Sequence, residues 1–225
     1  TVKNVVMEGI QITCNHRLGY AGGVAGYSWG TIENCSVSGS ISGTVSVGGV
    51  VGVQRDRPIT GCSSSATVKG MVQVGGVSAT VKGIVQVGGV AGQTIFGATL
   101  TACYATGNVT LEIAPKKNIA GGGLVGMNAG SSLLACYATG NVTSTGSGTG
   151  YVHIGGFLGD NYITLTACYW KNNHEQGIGY NTKSTKATKV DGSVVTWQKA
   201  VDAMNTALQN AGSESVSYTH LTLPT

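Results

Sequence analysis

Apolar and polar positions alternate in a recurring way along this chain. In Cys103-Tyr104-Ala105-Thr106-Gly107-Asn108-Val109 the odd positions are small or apolar and the even ones are Tyr, Thr and Asn. A period of two marks a half-buried strand with cysteine inward and tyrosine outward. The same parity holds after Cys136 and runs from Cys35 through Val37 and Ile41. Segments such as Gly22-Gly23-Val24-Ala25-Gly26 read as a second strand, covered on both faces, where glycine permits close backbone approach. Near the C-terminus the period changes. Trp197, Ala200, Val201, Met204, Ala207 and Leu208 predict an amphipathic helix over about 196–210, with Thr196 as N-cap and Gly212 as stop.

These segments form a repeat. Gly-Gly pairs at 22–23, 48–49, 88–89, 122–123 and 155–156 are followed 13 to 15 residues later by Cys35, Cys62, Cys103, Cys136 and Cys168. Fixed-period self-similarity is the mark of a stacked array in which neighbouring coils bury one another's faces. The expected fold is all-β, a β-solenoid resembling a parallel β-helix over 1–170. A cap at 171–212 carries the short helix, to cover the raw strand edge at the end. Ser65–Val77 recurs almost word for word as Ser78–Val90, so 65–90 is expected to be the least regular part. Residues 213–225, with Ser217–Thr225 reading as a cloning or adapter scar, are set aside as a doubtful tail.

The repeat has a known likeness. Gly121-Gly122-Gly123-Leu124-Val125-Gly126 with Ala135-Cys136-Tyr137-Ala138-Thr139-Gly140-Asn141, and Gly22-Gly23-Val24-Ala25-Gly26 with Gly30-Thr31-Ile32-Glu33-Asn34-Cys35, resemble the GLUG repeat of bacterial surface and secreted proteins. The resemblance implies an extracellular or bacterial cell-surface location, with the export signal outside this piece. It implies adhesin-like company more than any activity. Some metallopeptidases carry the repeat outside their catalytic domains, so an accessory region of a secreted hydrolase and a plain stalk stand as alternatives.

Composition narrows this further. Glycine contributes 37 of 225 residues without a Gly-X-Y period, which excludes collagen. Charged residues are only 10%, and the net charge of +4 is scattered, so no nucleic-acid partner is expected. No apolar run is long enough to span a membrane as a helix. The five repeat cysteines are expected to stack as a buried ladder of free thiols, since parallel side-chain vectors suit a disulfide poorly.

Catalytic chemistry is sparse. His16 two residues after Cys14, His174-Glu175 without a second histidine at Ile178, and the lone carboxylate of Asp160 form no catalytic or metal set. No enzyme activity, metal or cofactor is expected. The candidate binding residues are Tyr104, Tyr137 and Tyr169, at equivalent outward positions, with Trp170 beside them. They would offer an aromatic column to a glycan or an extracellular protein.

Overall fold

The computed structural model describes residues 1–16, 19–70, 84–115 and 117–213. Its strands lie in four parallel sheets, and every pairing joins one coil to the next. Sheet I stacks Val2–Lys3, Ile32–Glu33, Ile59–Thr60, Thr99–Thr101, Ser132–Leu134 and Leu165–Thr166. Sheet II starts from the long strands Val6–Thr13 and Ser36–Gly43 and divides into two tracks. One track holds Ser63–Ser64, Tyr104–Ala105, Tyr137–Ala138, Tyr169–Trp170 and Thr188–Lys189. The other holds Thr67–Gly70, Val109–Ile113 and Val142–Gly146. Sheet III stacks Tyr20–Ala21, Ser46–Gly48, Ile84–Gly88, Asn118–Gly122 and Val152–Gly155. Sheet IV stacks Ala25–Ser28, Val51–Arg55, Ala91–Ile95, Val125–Ala129, Leu158–Asn161 and Ile178–Asn181. The chain is an all-β solenoid whose coils run over 2–28, 32–55, 59–95, 99–129 and 132–161, followed by a shortened turn from 165 to 189.

Equivalent residues lie directly above one another, and the core is built of columns. Ile32, Ile59, Leu100 and Leu133 are in register and fully buried. The cysteine ladder forms beside them. Cys35, Cys62, Cys103, Cys136 and Cys168 are buried and free. Each thiol donates to the carbonyl two residues before it, at 3.2 to 3.4 Å. Burial first, then neighbouring thiols, pushes the Cys62 and Cys136 thiols well up from their ordinary value.

Gly48 of the second coil pairs with Gly88. Gly70 lies opposite Gly43 and Gln86 opposite Ser46. The third coil therefore covers sixteen positions where the second covers three, and the difference of thirteen is the length of the duplicated phrase. Residues 65–70 and 84–90 keep the stack's register, while 71–83 lie outside the described residues, as does 214–225 of the suspected tail.

Sheets III and IV press together through glycine. A Cβ on Gly126 would lie 2.5 Å from the Val87 nitrogen and 2.6 Å from the Gly92 oxygen. Farther along sheet IV runs a buried polar ladder. Thr94 donates to Asn128 (3.0 Å), Asn128 to Asn161 (2.8 Å) and Asn161 to Asn181 (3.0 Å).

The helix α1, Trp197–Asn210, starts where the periodicity puts it, with the Thr196 hydroxyl accepting from the Lys199 nitrogen. Its position differs from the expected end cap. Trp197, Ala200, Val201, Met204 and Leu208 pack on Ala102, Ala135 and Tyr137, with Tyr104, Ala167 and Tyr169 at the margin. These residues come from successive coils, so α1 lies along the flank. Asparagines close the end instead. Asn172 donates to the Gly140 and Gly156 carbonyls, and Asn173 both accepts from the Val142 nitrogen and donates to its oxygen.

The flank explains an oddity of backbone. The residue at the turn from sheet I to sheet II is left-handed in every coil: Asn4, Asn34, Gly61, Ala102, Ala135 and Ala167. Asn and Gly tolerate that conformation, whereas Ala does so at a cost of about 1–2 kcal/mol. The alanines are the copies packed against α1, where a methyl adds apolar contact and an amide would be buried.

Candidate functional site

The predicted tyrosine column exists, with its middle ring buried and Tyr104 and Tyr169 half-buried. Tyr104 pairs with Tyr137 and Tyr137 with Tyr169. The Tyr104 and Tyr137 rings stack 4.9 Å apart and within 2° of parallel. Trp197 of α1 meets Tyr137 edge-on at 5.5 Å, leaving Tyr137 2% exposed. Burial, and then the neighbouring Tyr104, pushes the Tyr137 phenol up. The column is the floor of the helix's seat.

Trp170 also departs from expectation. It is 6% exposed and points into the core rather than beside the tyrosines. Neighbours in a strand face opposite ways, so an outward Tyr169 requires an inward Trp170. It takes the register position of Ala138 and plugs the shortened last coil, where its ring would meet any Cβ on Gly156 or Gly177.

Exposed aromatic residues cluster on the first three coils, and one more, Tyr180, lies on the last strand. Tyr20 and Tyr27 sit at matching places on sheets III and IV with ring centres 5.6 Å apart. Tyr27 meets Trp29 edge-on at 5.4 Å. Trp29 is 67% exposed. Beside it, on the next coil, the Arg55 guanidinium lies 4.4 Å over the ring of Phe96, which is 62% exposed. The Tyr27 hydroxyl and then Asp56 hold the Arg55 guanidinium above its ordinary pKa.

Phe96 is unusual in its backbone. Its φ is 55°, and the column it belongs to holds Gly30, Asp56 and Gly130 in the first, second and fourth coils. A bulky residue in the left-handed region is an outlier worth about 1–3 kcal/mol of strain. Phe96 accepts that strain while leaving its ring in solvent. Sequence reading missed this strip, although its signal was available: a phenylalanine at a turn position that neighbouring coils fill with Gly or Asp.

A second cluster lies at the other end of the same pair of sheets. His153 and Asp160 face each other across the glycine turn, with Nδ1 2.6 Å from Oδ1. The rings of Tyr151 and Tyr180 stack on the two faces of the imidazole, at 4.6 and 4.9 Å. Tyr162 lies 6.0 Å from Tyr180. Asp160 is 0% exposed, and its Oδ2 has no hydrogen-bond partner. Burial pushes its carboxyl up, and the bond from His153 pulls in the opposite direction. The carboxylate that stood alone in the sequence thus has a partner seven residues away. No nucleophile or second acid joins the pair, and no group of three or more metal-ligating side chains occurs among the described residues. Among those residues no helix is long and apolar enough to cross a membrane.

A family model described as the GLUG motif matches residues 18–42. No curated protein and no solved structure matches the chain. The matched stretch runs from the end of the first coil through Ser36–Gly43 of the second. Its elements, the glycine-lined strand of sheet IV, the left-handed residue and the inward cysteine, return at the same register in later coils. Residues 18–42 therefore carry a GLUG motif, and its elements are repeated along the stack.

Proposed function

We propose that this chain is a non-enzymatic repeat module of a secreted or surface-exposed protein that supports adhesion, and that it binds a glycan on the strip formed by Tyr20, Tyr27, Trp29, Arg55 and Phe96. The observation that carries the reading is the strained, solvent-exposed Phe96 beside Arg55, continuous with the exposed Trp29. Aromatic faces suit the apolar faces of pyranose rings, and a guanidinium supplies fixed donors for hydroxyl or carboxylate oxygens. An aromatic patch left on a repeat surface marks an interaction site more often than a packing accident. The extracellular location belongs to the same proposal and rests on the repeat's kinship.

The test is a panel of immobilised glycans and extracellular-matrix proteins, probed with the protein and with the double variant Trp29→Ala, Phe96→Gly. Both changes lie on the surface, and the glycine relieves backbone strain, so folding is retained. Saturable glycan binding lost in that variant supports the reading. A hit on a matrix protein alone would replace the glycan with a protein ligand. Silence across the panel, or binding indifferent to both changes, would overturn the proposal in favour of a stalk.

A further inference from the structure

The cluster around His153 is far from that strip and carries an inference of its own. Sheet III ends at Val152–Gly155, whereas sheet IV continues for one more strand, Ile178–Asn181. Among the described residues this last strand pairs on one edge only, with Leu158–Asn161. Tyr180 belongs to it, and its ring is laid on His153 of the coil before. The stack therefore ties the terminal strand back to the body of the solenoid.

The imidazole is faced by two electron-rich rings and one carboxyl group. Tyr151 and Tyr180 present ring faces, which attract a cation. Asp160 presents a buried carboxylate at hydrogen-bond distance. The neighbouring strand Asn118–Gly122 brings no titratable residue, and neither does Val125–Ala129. Leu158–Asn161 brings Asp160, Ile178–Asn181 brings Tyr180, and the flanking titratable groups are Tyr151 and Tyr162. With a proton on the ring, the carboxylate has a counter-ion and the ring faces hold a cation. Without it, Asp160 is an anion in a dry site with a neutral partner, which costs the fold. Earlier coils hold Ser46, Gln86 and Ala120 at the His153 position and Val53, Gln93 and Met127 at the Asp160 position. The stack does not need the pair, and the pair stands only where the stack ends.

We propose that Tyr151, His153, Asp160 and Tyr180 form a proton-dependent clamp on the last coil, closed when His153 carries its proton and loosened when it does not.

Hydrogen exchange of the purified chain, corrected for intrinsic rates and followed between about pH 5.5 and pH 8, where histidine changes charge, tests this. Losing the imidazolium charge, and with it the ion pair to Asp160 and the ring–cation contacts, should speed exchange in 178–181 about tenfold or more at the higher pH. Amides of 118–129 should keep their protection. The double variant His153→Phe, Asp160→Asn keeps a ring between the tyrosines and carries neither charge, so its exchange in 178–181 should not respond to pH. Asp160→Asn alone should shrink the response to the part carried by the ring–cation contacts. His174→Gln removes the other histidine at this end, whose Nε2 lies 3.0 Å from the Val142 oxygen, and should leave the response intact. A flat profile in the unaltered protein, a response that persists in the double variant, or one that vanishes with His174 would overturn the clamp.

Discussion

Exchanging the residue at one left-handed position between a bare coil and a helix-covered coil should have opposite structural consequences. Asn34 has φ 51° and lies exposed, while Ala135 has φ 53° and is fully buried in the cluster formed with α1. In Ala135→Asn the backbone gains about 1 kcal/mol, because Asn tolerates the left-handed region that Ala resists. Against this, an amide left without partners in a buried contact costs about 1–3 kcal/mol. The added atoms must also displace the helix, at about 1–3 kcal/mol more. The net is a loss of about 1–5 kcal/mol, centred near 3. The reverse change, Asn34→Ala, forfeits only the backbone preference, about 1 kcal/mol. Ala135→Gly relieves strain while removing one buried methyl worth about 0.8 kcal/mol, so it should be neutral to slightly stabilising.

The assay is a urea titration followed by circular dichroism and by tryptophan emission, since Trp197 sits on Tyr137 only while the helix is docked. Ala135→Asn should lower the midpoint most and release the helix signal first. Equal stability of Ala135→Asn and the parent, or a larger loss from Asn34→Ala, would refute the account of the flank.

Three other expectations follow from the packing. Gly126→Ala should cost about 3 kcal/mol, because its Cβ meets backbone of two neighbouring strands, whereas Gly97→Ala meets nothing within 4 Å and should cost about 1 kcal/mol for its φ of 81° alone; thermal melts of the pair decide it. Alkylation followed by mass spectrometry at about pH 8 should modify half-buried Cys14 first, while Cys62 and Cys136, with thiols raised by burial and so poor in thiolate, react only as fast as the stack opens. Asn161→Ala should destabilise sheet IV by about 1–3 kcal/mol, since it orphans the buried Asn128 donor and removes one of the two bonds to the Asn181 oxygen, and amide exchange in 125–129 and 178–181 should rise together.

Much of the fold was legible because each repeat position is read several times. The alternation after each cysteine gave inward and outward faces, and five aligned cysteines gave the ladder. Errors arose where one copy was read alone. Trp170 was grouped with Tyr169 by adjacency, although strand parity places it inward. The helix was legible as a helix but not as a flank element. The clue was the change from Asn34 and Gly61 to Ala102, Ala135 and Ala167 at a left-handed turn, a change that no isolated turn favours. His153 and Asp160 could not be paired from sequence, because the glycine turn between them is what brings sheets III and IV together.

The repeat also supplies a way to separate structural departures from functional ones. Each coil is an internal reference for the next, so a substitution at a shared position can be judged by whether the stack gains from it. Trp170 in place of alanine fills the end of the core, and the three alanines pack against α1; both departures are accounted for by burial. Phe96 and Asp160 run the other way. One strains a turn while its ring stays in solvent, and the other buries a carboxylate where neighbouring coils hold Met127 and Tyr180. Neither is repaid by packing, and a cost that the fold does not recover is where function is to be sought. By that criterion the aromatic strip and the imidazole clamp stand apart from the tyrosine column, whose middle ring the helix buries.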